Sequence, residues 1–128
     1  MPSESTLGIY IHVPFCVRKC PYCDFYSVPQ TAERMEQYGT ALCRFLRQMQ
    51  TDLPVDTIYF GGGTPSLLPV SLLEEILQTI AGTVSLRQPE ITLECNPATV
   101  DRKTLQQLRE IDLNRLSTAV QSLSDVQL

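Results

Sequence analysis

Three cysteines lie within eight residues of one another in the first part of this 128-residue chain. They are Cys16, Cys20 and Cys23, and their spacing is C-x3-C-x2-C. Three thiolates can ligate three irons of a four-iron cluster and leave the fourth iron open. A small molecule can bind at such an iron and receive an electron. The spacing therefore indicates a candidate reaction centre with these cysteines as metal ligands.

Two other uses of neighbouring cysteines compete with a cluster. Structural zinc takes four ligands, commonly as two separated pairs. The remaining Cys43 and Cys95 are isolated, and the only histidine is His12. The polar start of the chain contains no apolar signal-peptide region, so a secreted disulfide scaffold is less favoured. An iron–sulfur cluster is the leading interpretation, and zinc stays the alternative.

A glycine loop is the second feature that points to a ligand. Gly61, Gly62 and Gly63 are followed by Thr64 and Pro65, directly after a β-rich run. Without Cβ atoms, bare backbone can approach a ligand closely. The loop is not a P-loop, because the Gly-Lys-Ser/Thr ending is missing. A tight turn is the alternative, but beside an open cluster the loop is predicted to cradle the ligand of that cluster.

The composition is that of an ordinary soluble globular domain. The chain is 43% hydrophobic and 19% charged, and its formal net charge is −4. Its Lys and Arg residues are scattered, so no basic surface for nucleic acid is expected. The predicted location is the cytoplasm.

The elements that position these loops alternate along the chain. Four β-rich runs, at residues 9–13, 57–60, 90–94 and 115–121, are separated by three stretches with helical spacing. Cys43 adjoins the apolar stripe of the first helix and is predicted to be buried. The second helix is predicted to begin at a capping box of Ser71 and Glu74, and the third carries Asp101 in its first turn. This β-α-β order predicts an α/β fold with a parallel sheet.

Side-chain parity along the predicted strands separates two faces. On the first strand Ile11 and Val13 point one way, while Tyr10 and His12 point the other. Glu94 on the third run belongs to the polar side in the same way. A parallel sheet covered on both faces would be apolar on both. The pattern therefore predicts a full or partial barrel with helices outside, a polar concave face and a ligand at the carboxyl ends of the strands.

Five motifs in order resemble one protein family, and they cover the chain from about Gly8 onward: the run from Tyr10 to Cys16, the CxxxCxxC loop, Gly61 to Pro65, Glu94 to Pro97, and Arg115 to Ser122. They look like the radical S-adenosylmethionine (SAM) proteins related to oxygen-independent coproporphyrinogen III oxidase. The resemblance implies the first four βα-type units of a partial (β/α)6 TIM-like barrel. It further implies that residues 1–128 are the N-terminal part of the core domain, without its later strands and the domain that follows.

The resemblance also assigns cofactors and site residues. Cys16, Cys20 and Cys23 would ligate a 4Fe–4S cluster, and the amino and carboxylate groups of SAM would complete the open iron. The reduced cluster would cleave SAM to methionine and a 5′-deoxyadenosyl radical. An electron donor such as flavodoxin or ferredoxin is implied, and no catalytic side chain is assigned. Seven positions match family residues that contact SAM: Tyr10, Tyr22, Gly62, Gly63, Thr64, Glu94 and Gln121.

Departures from the family pattern favour one of its two branches. The coproporphyrinogen oxidases have a further cysteine two residues beyond the third ligand and a longer segment before the first strand. Here that position is Phe25, and seven residues precede Gly8. Both departures resemble the heme chaperone (HemW-type) branch, whose members bind heme and pass it to acceptor proteins. Heme delivery is the predicted function, and oxidative decarboxylation of a porphyrinogen is the alternative, so enzymatic turnover stays open. Asp112 also replaces a family glycine after the third helix.

Overall fold

The computed structural model describes residues 5–16, 28–29, 31–96 and 100–118. Strands and helices alternate along this part of the chain, as the sequence predicts. The elements are β1 (Leu7–Val13), β2 (Phe15–Cys16), β3 (Val28–Pro29), α1 (Ala32–Arg47), β4 (Val55–Gly62), a 3-10 turn (Pro65–Leu67), α2 (Val70–Thr83), β5 (Leu86–Cys95), α3 (Arg102–Glu110) and β6 (Arg115–Thr118). No helix among the described residues is long and apolar enough to cross a bilayer.

Four parallel strands form the main sheet in the order β1-β4-β5-β6. This confirms the predicted parallel α/β fold and all four strands, although residues 119–121 of the last predicted strand lie outside the described residues. β4 runs on through Gly61 and Gly62, so two of the three glycines are strand residues. A second, two-stranded sheet pairs β2 with β3, with Cys16 opposite Pro29. The sequence pattern did not predict this small sheet.

The two faces of the main sheet differ as parity predicts. Val13, Phe60 and Leu93 are 0% exposed and join the helices in one apolar core. Cys43 is also buried in that core, which confirms its predicted role. On the other face Tyr10 is 61% exposed. The described helices cover one face of the sheet, so polar residues can occupy the other face.

The starts of two helices differ from prediction. α2 begins at Val70 after Pro69, and no side chain caps it, so the capping box predicted at Ser71 was wrong. Ser71 lies inside the first turn, two residues after the N-cap position at Pro69, so its hydroxyl cannot cap the helix. Asp101 is the N-cap of α3 rather than a first-turn residue, and its carboxylate accepts a hydrogen bond from Thr104 N at 2.8 Å. The hydrogen bond from the backbone of Thr104 lowers the pKa of Asp101.

The end of α3 is a Schellman motif built around a non-glycine residue. Asp112 N donates to Arg109 O at 3.1 Å, and Leu113 N donates to Leu108 O at 3.1 Å. Leu108 and Leu113 are both buried, as the apolar contact of this motif requires. Asp112 has φ = 76°, in the left-handed region that favours glycine. The family resemblance predicts glycine at this position, and the left-handed φ gives the physical reason.

Replacing Asp112 with Gly is expected to raise the free energy of unfolding by about 0.5 to 1 kcal/mol, because the left-handed penalty disappears. The substitution also removes a negative charge from the negative end of the helix dipole. Denaturant unfolding measures the change. The control is Glu110→Gly, at the last residue of α3. This variant should lower the free energy of unfolding by about 1 kcal/mol, because glycine is a poor helix former. A destabilised Asp112→Gly variant would contradict this account of the motif.

Candidate cofactor-binding site

The glycine loop is hydrogen-bonded to the strand end that leads into the cysteine segment. Gly63 N donates to Val13 O, and Thr64 N donates to Phe15 O, each at 2.7 Å. Cys16 follows Phe15 directly and pairs through its backbone with β3. The glycine loop and the residues that lead into Cys16 therefore meet at the carboxyl edge of neighbouring strands, where ligands of parallel α/β folds bind.

Helix α1 supports the same strand end from the other side. The Tyr38 hydroxyl donates to the carbonyl oxygen of His12 at 2.5 Å. The ring of Tyr38 packs edge-on against Phe15, with ring centres 5.5 Å apart. Burial raises the pKa of Tyr38 to about 12, so this phenol remains a donor at neutral pH. Backbone and side-chain bonds together hold the residues that precede Cys16.

Glu94 lies at the end of β5 with a donor on each carboxylate oxygen. Gly62 N donates to Oε1 at 3.1 Å, and the Tyr59 hydroxyl donates to Oε2 at 2.8 Å. The hydrogen bond to Glu94 raises the pKa of Tyr59 above its ordinary value. Each oxygen of an ionised carboxylate has a further acceptor position. Glu94 is half-buried, so a cationic ligand can approach these remaining acceptor positions.

Gly62 has a conformation and surroundings that exclude a side chain. Its φ is +113°, and a Cβ there would lie 2.7 Å from both Nδ1 of His12 and the carbonyl oxygen of Val13. Gly62 and Gly63 are exposed, so a ligand can reach their backbone. The N–H groups of Gly62, Gly63 and Thr64 all donate within the protein. A ligand would therefore meet the Cα atoms and carbonyl groups of this loop rather than free N–H donors.

The structure brings five of the seven predicted SAM-contacting residues to this edge and face of the sheet: Tyr10, Gly62, Gly63, Thr64 and Glu94. Tyr22 and Gln121 lie outside the described residues, as do the cluster ligands Cys20 and Cys23. Cys16 is described through its backbone.

Tyr59 is a site residue that the sequence analysis missed. Its ring stacks on that of Tyr10, with ring centres 5.6 Å apart and planes 12° apart. Parity could have placed it on the polar face, because it precedes Gly61 by two residues on β4. Its contact with Glu94, which is 35 residues further on, depends on strand pairing.

Comparison with known proteins now identifies the family. Residues 10–127 match the radical SAM superfamily. The chain belongs to this superfamily. Membership implies SAM and a 4Fe–4S cluster as cofactors. The exposed glycine backbone, the acceptor-only Glu94 and the three thiolate-forming cysteines in the sequence fit such a pair, since SAM is cationic at its sulfonium and thiolates are the usual cluster ligands.

Relatives within the superfamily are about one-third identical to this chain in sequence. The chain is 37% identical to the heme chaperone HemW of Synechocystis over 91% of its length, and 36% identical to that of Escherichia coli over 95%. It is also 33% identical over 98% of its length to the mouse mitochondrial radical S-adenosyl methionine domain-containing protein 1. These matches span 30%, 34% and 29% of the relatives' own lengths.

A solved structure supports the same assignment of the fold. Coproporphyrinogen III oxidase (HemN) from Escherichia coli, a radical SAM enzyme, matches with a TM-score of 0.79 and 26% identity. The match covers 90% of this chain and 28% of that protein. The predicted fold class, a parallel α/β sheet of the TIM-like radical SAM type, is confirmed.

Replacing Gly62 with Ala is expected to lower the free energy of unfolding by about 2 to 4 kcal/mol, because a Cβ at this φ is strained and overlaps backbone. Denaturant unfolding measures the loss. Gly82→Ala is the matched control, because Gly82 lies in α2 and no described atom beyond its neighbours lies within 4 Å of an added Cβ. That variant should gain about 0.5 to 1 kcal/mol. Equal stability of the two variants would contradict the geometry given for Gly62.

Proposed function

We propose that this chain carries the cluster- and SAM-binding region of a heme chaperone, a protein that binds heme and delivers it to acceptor proteins. The similarity to HemW proteins over 91% and 95% of the chain is the observation that carries this proposal. The sequence supports it independently, because Phe25 stands where the coproporphyrinogen oxidases are expected to have a further cysteine.

In this proposal each residue of the site has a definite task. Cys16, Cys20 and Cys23 ligate the 4Fe–4S cluster. The cluster and SAM together supply one-electron chemistry at the SAM sulfonium when both are bound. Glu94 accepts hydrogen bonds from the cationic ligand through its remaining acceptor positions. The exposed backbone of the glycine loop and the ring of Tyr10 line the same face. The residues proposed to contact SAM are Tyr10, Tyr22, Gly62, Gly63, Thr64, Glu94 and Gln121.

Oxygen-independent coproporphyrinogen III oxidase activity is the second candidate function. The TM-score of 0.79 with the Escherichia coli oxidase favours it, because the described part of the chain has the fold of that enzyme. A shared fold supports a shared site architecture but does not determine the reaction. The electron donor, the heme-acceptor protein and the cytoplasmic location remain predictions from the sequence.

The metal assignment predicts a specific outcome of anaerobic reconstitution. Iron and sulfide should give about four irons and four sulfides per chain, with a broad absorption at about 400 nm that dithionite bleaches. Single Ala substitutions at Cys16, Cys20 or Cys23 should abolish this cluster. Iron and sulfide analysis with absorption spectra provides the measurement.

The two remaining cysteines are the matched controls for this experiment. Cys43 and Cys95 are buried, and burial raises the pKa of the Cys95 thiol, which disfavours the thiolate that a cluster needs. Ala substitutions there should leave the cluster intact. Stoichiometric zinc without sulfide would rule out the cluster and restore the zinc interpretation.

The proposed branch predicts a positive result in one assay and a negative result in another, both made on the reconstituted full-length protein. Titration with hemin should give a saturable shift of the Soret band, because a chaperone must hold its cargo. Anaerobic incubation with SAM, a reductant and coproporphyrinogen III should yield no decarboxylated product. If decarboxylated porphyrinogen forms instead, the assignment moves to the oxidase.

A further inference from the structure

Tyr59 stands out because it touches the proposed ligand-binding carboxylate. Its hydroxyl lies 2.8 Å from Oε2 of Glu94, while Gly62 N lies 3.1 Å from Oε1. A glutamate side chain has three rotatable bonds. With only one hydrogen bond, the carboxylate can still rotate about its Cγ–Cδ bond. Two donors on opposite oxygens fix both its position and its plane. Gly62 N is part of the backbone, so Tyr59 is the side chain in this arrangement that can be changed.

Tyr59 is itself held in place on three sides. The ring of Tyr10 stacks on it at 5.6 Å, and the register places Tyr10 and Thr92 beside it on the neighbouring strands. Thr92 is only 1% exposed, so the space on the β5 side is filled. Ser117, which lies opposite Glu94 on β6, is within hydrogen-bonding reach of the Tyr59 hydroxyl. Tyr59 is half-buried, and these neighbours limit the directions in which it can place its O–H.

We propose that Tyr59 is a positioning residue that orients the Glu94 carboxylate so that its free acceptor positions face a cationic ligand. The inference rests on the proposed function, in which that ligand is SAM. Because the carboxylate is ordered before the ligand binds, less conformational entropy is lost on binding. A site held in this way by supporting hydrogen bonds binds more tightly than one whose side chain is free to turn.

The test compares Tyr59→Phe with the parent protein after reconstitution of the cluster. Phenylalanine keeps the ring and its stacking on Tyr10 and removes only the O–H. The dissociation constant of SAM, measured by calorimetry, should rise about tenfold, the size of effect that one hydrogen bond to a charged group has on an equilibrium. Cluster content and the absorption spectrum should be unchanged, since neither depends on Glu94.

A double-mutant cycle separates positioning from a general structural effect. Glu94→Ala alone should weaken SAM binding by about tenfold or more. If Tyr59 acts through Glu94, Tyr59→Phe should cause no further loss in the Glu94→Ala background. A role that only stabilised the sheet would lower affinity to the same extent in both backgrounds, and that additive result would overturn the inference.

A spectroscopic readout reports the contact without any ligand. Because the bond to Glu94 raises the pKa of Tyr59, Glu94→Gln should move one tyrosine titration to lower pH, followed by tyrosinate absorbance. The titration of Tyr38, on the other side of the sheet, should stay in place. No change in Glu94→Gln would contradict the contact on which the inference depends.

Different outcomes would overturn the proposed function and the role of Tyr59. A reconstituted parent protein that binds no SAM overturns the proposed function, and the inference with it. Binding by the parent with a normal affinity in Tyr59→Phe overturns the inference alone and leaves the proposed function standing. Binding that is insensitive to Glu94→Ala also overturns the inference, because Glu94 is then no ligand contact.

Discussion

Two backbone hydrogen bonds between the glycine loop and the end of β1 are the constraint on which the site depends. Gly63 N and Thr64 N donate to Val13 O and Phe15 O. They can form only because Gly62 turns the chain with φ = +113° and has no Cβ between the two segments. They extend the pairing of β1 with β4 beyond the strand ends, and they hold the residues that enter Cys16 at the same edge of the sheet as Glu94.

The two faces of the sheet have different roles, one in the stability of the fold and the other in the site. Apolar side chains of β1, β4 and β5 pack with α1, α2 and α3 into one core, and this burial supplies the stability. The opposite face carries Tyr10, Tyr59 and Glu94, whose polar groups are partly exposed. Polar groups on this face can be held by a few hydrogen bonds because the core on the other side already fixes the backbone that carries them.

Family and function come from different kinds of observation. The superfamily match and the TM-score of 0.79 concern the shared frame of sheet and helices. This chain matches both a protein described as a heme chaperone and a solved structure described as an oxidase. What favours the chaperone in this chain is its identity of 37% and 36% to HemW proteins, together with Phe25, where the oxidases are expected to have a further cysteine. This agrees with the general rule that reactions belong to sites placed on folds.

The sequence by itself determined the strands, their parity, the burial of Cys43 and the family. These depend on residue type and short spacings, which are visible without a structure. It failed at the start of α2, which begins at Val70 after Pro69 so that Ser71 falls inside the first turn, and at Asp101, which caps rather than follows the start of α3. Only the tertiary structure decided that Tyr59 meets Glu94 and that the N–H groups of the glycine loop are already bonded. The physical reason is that these contacts join residues far apart in the chain, and strand register determines which of them meet.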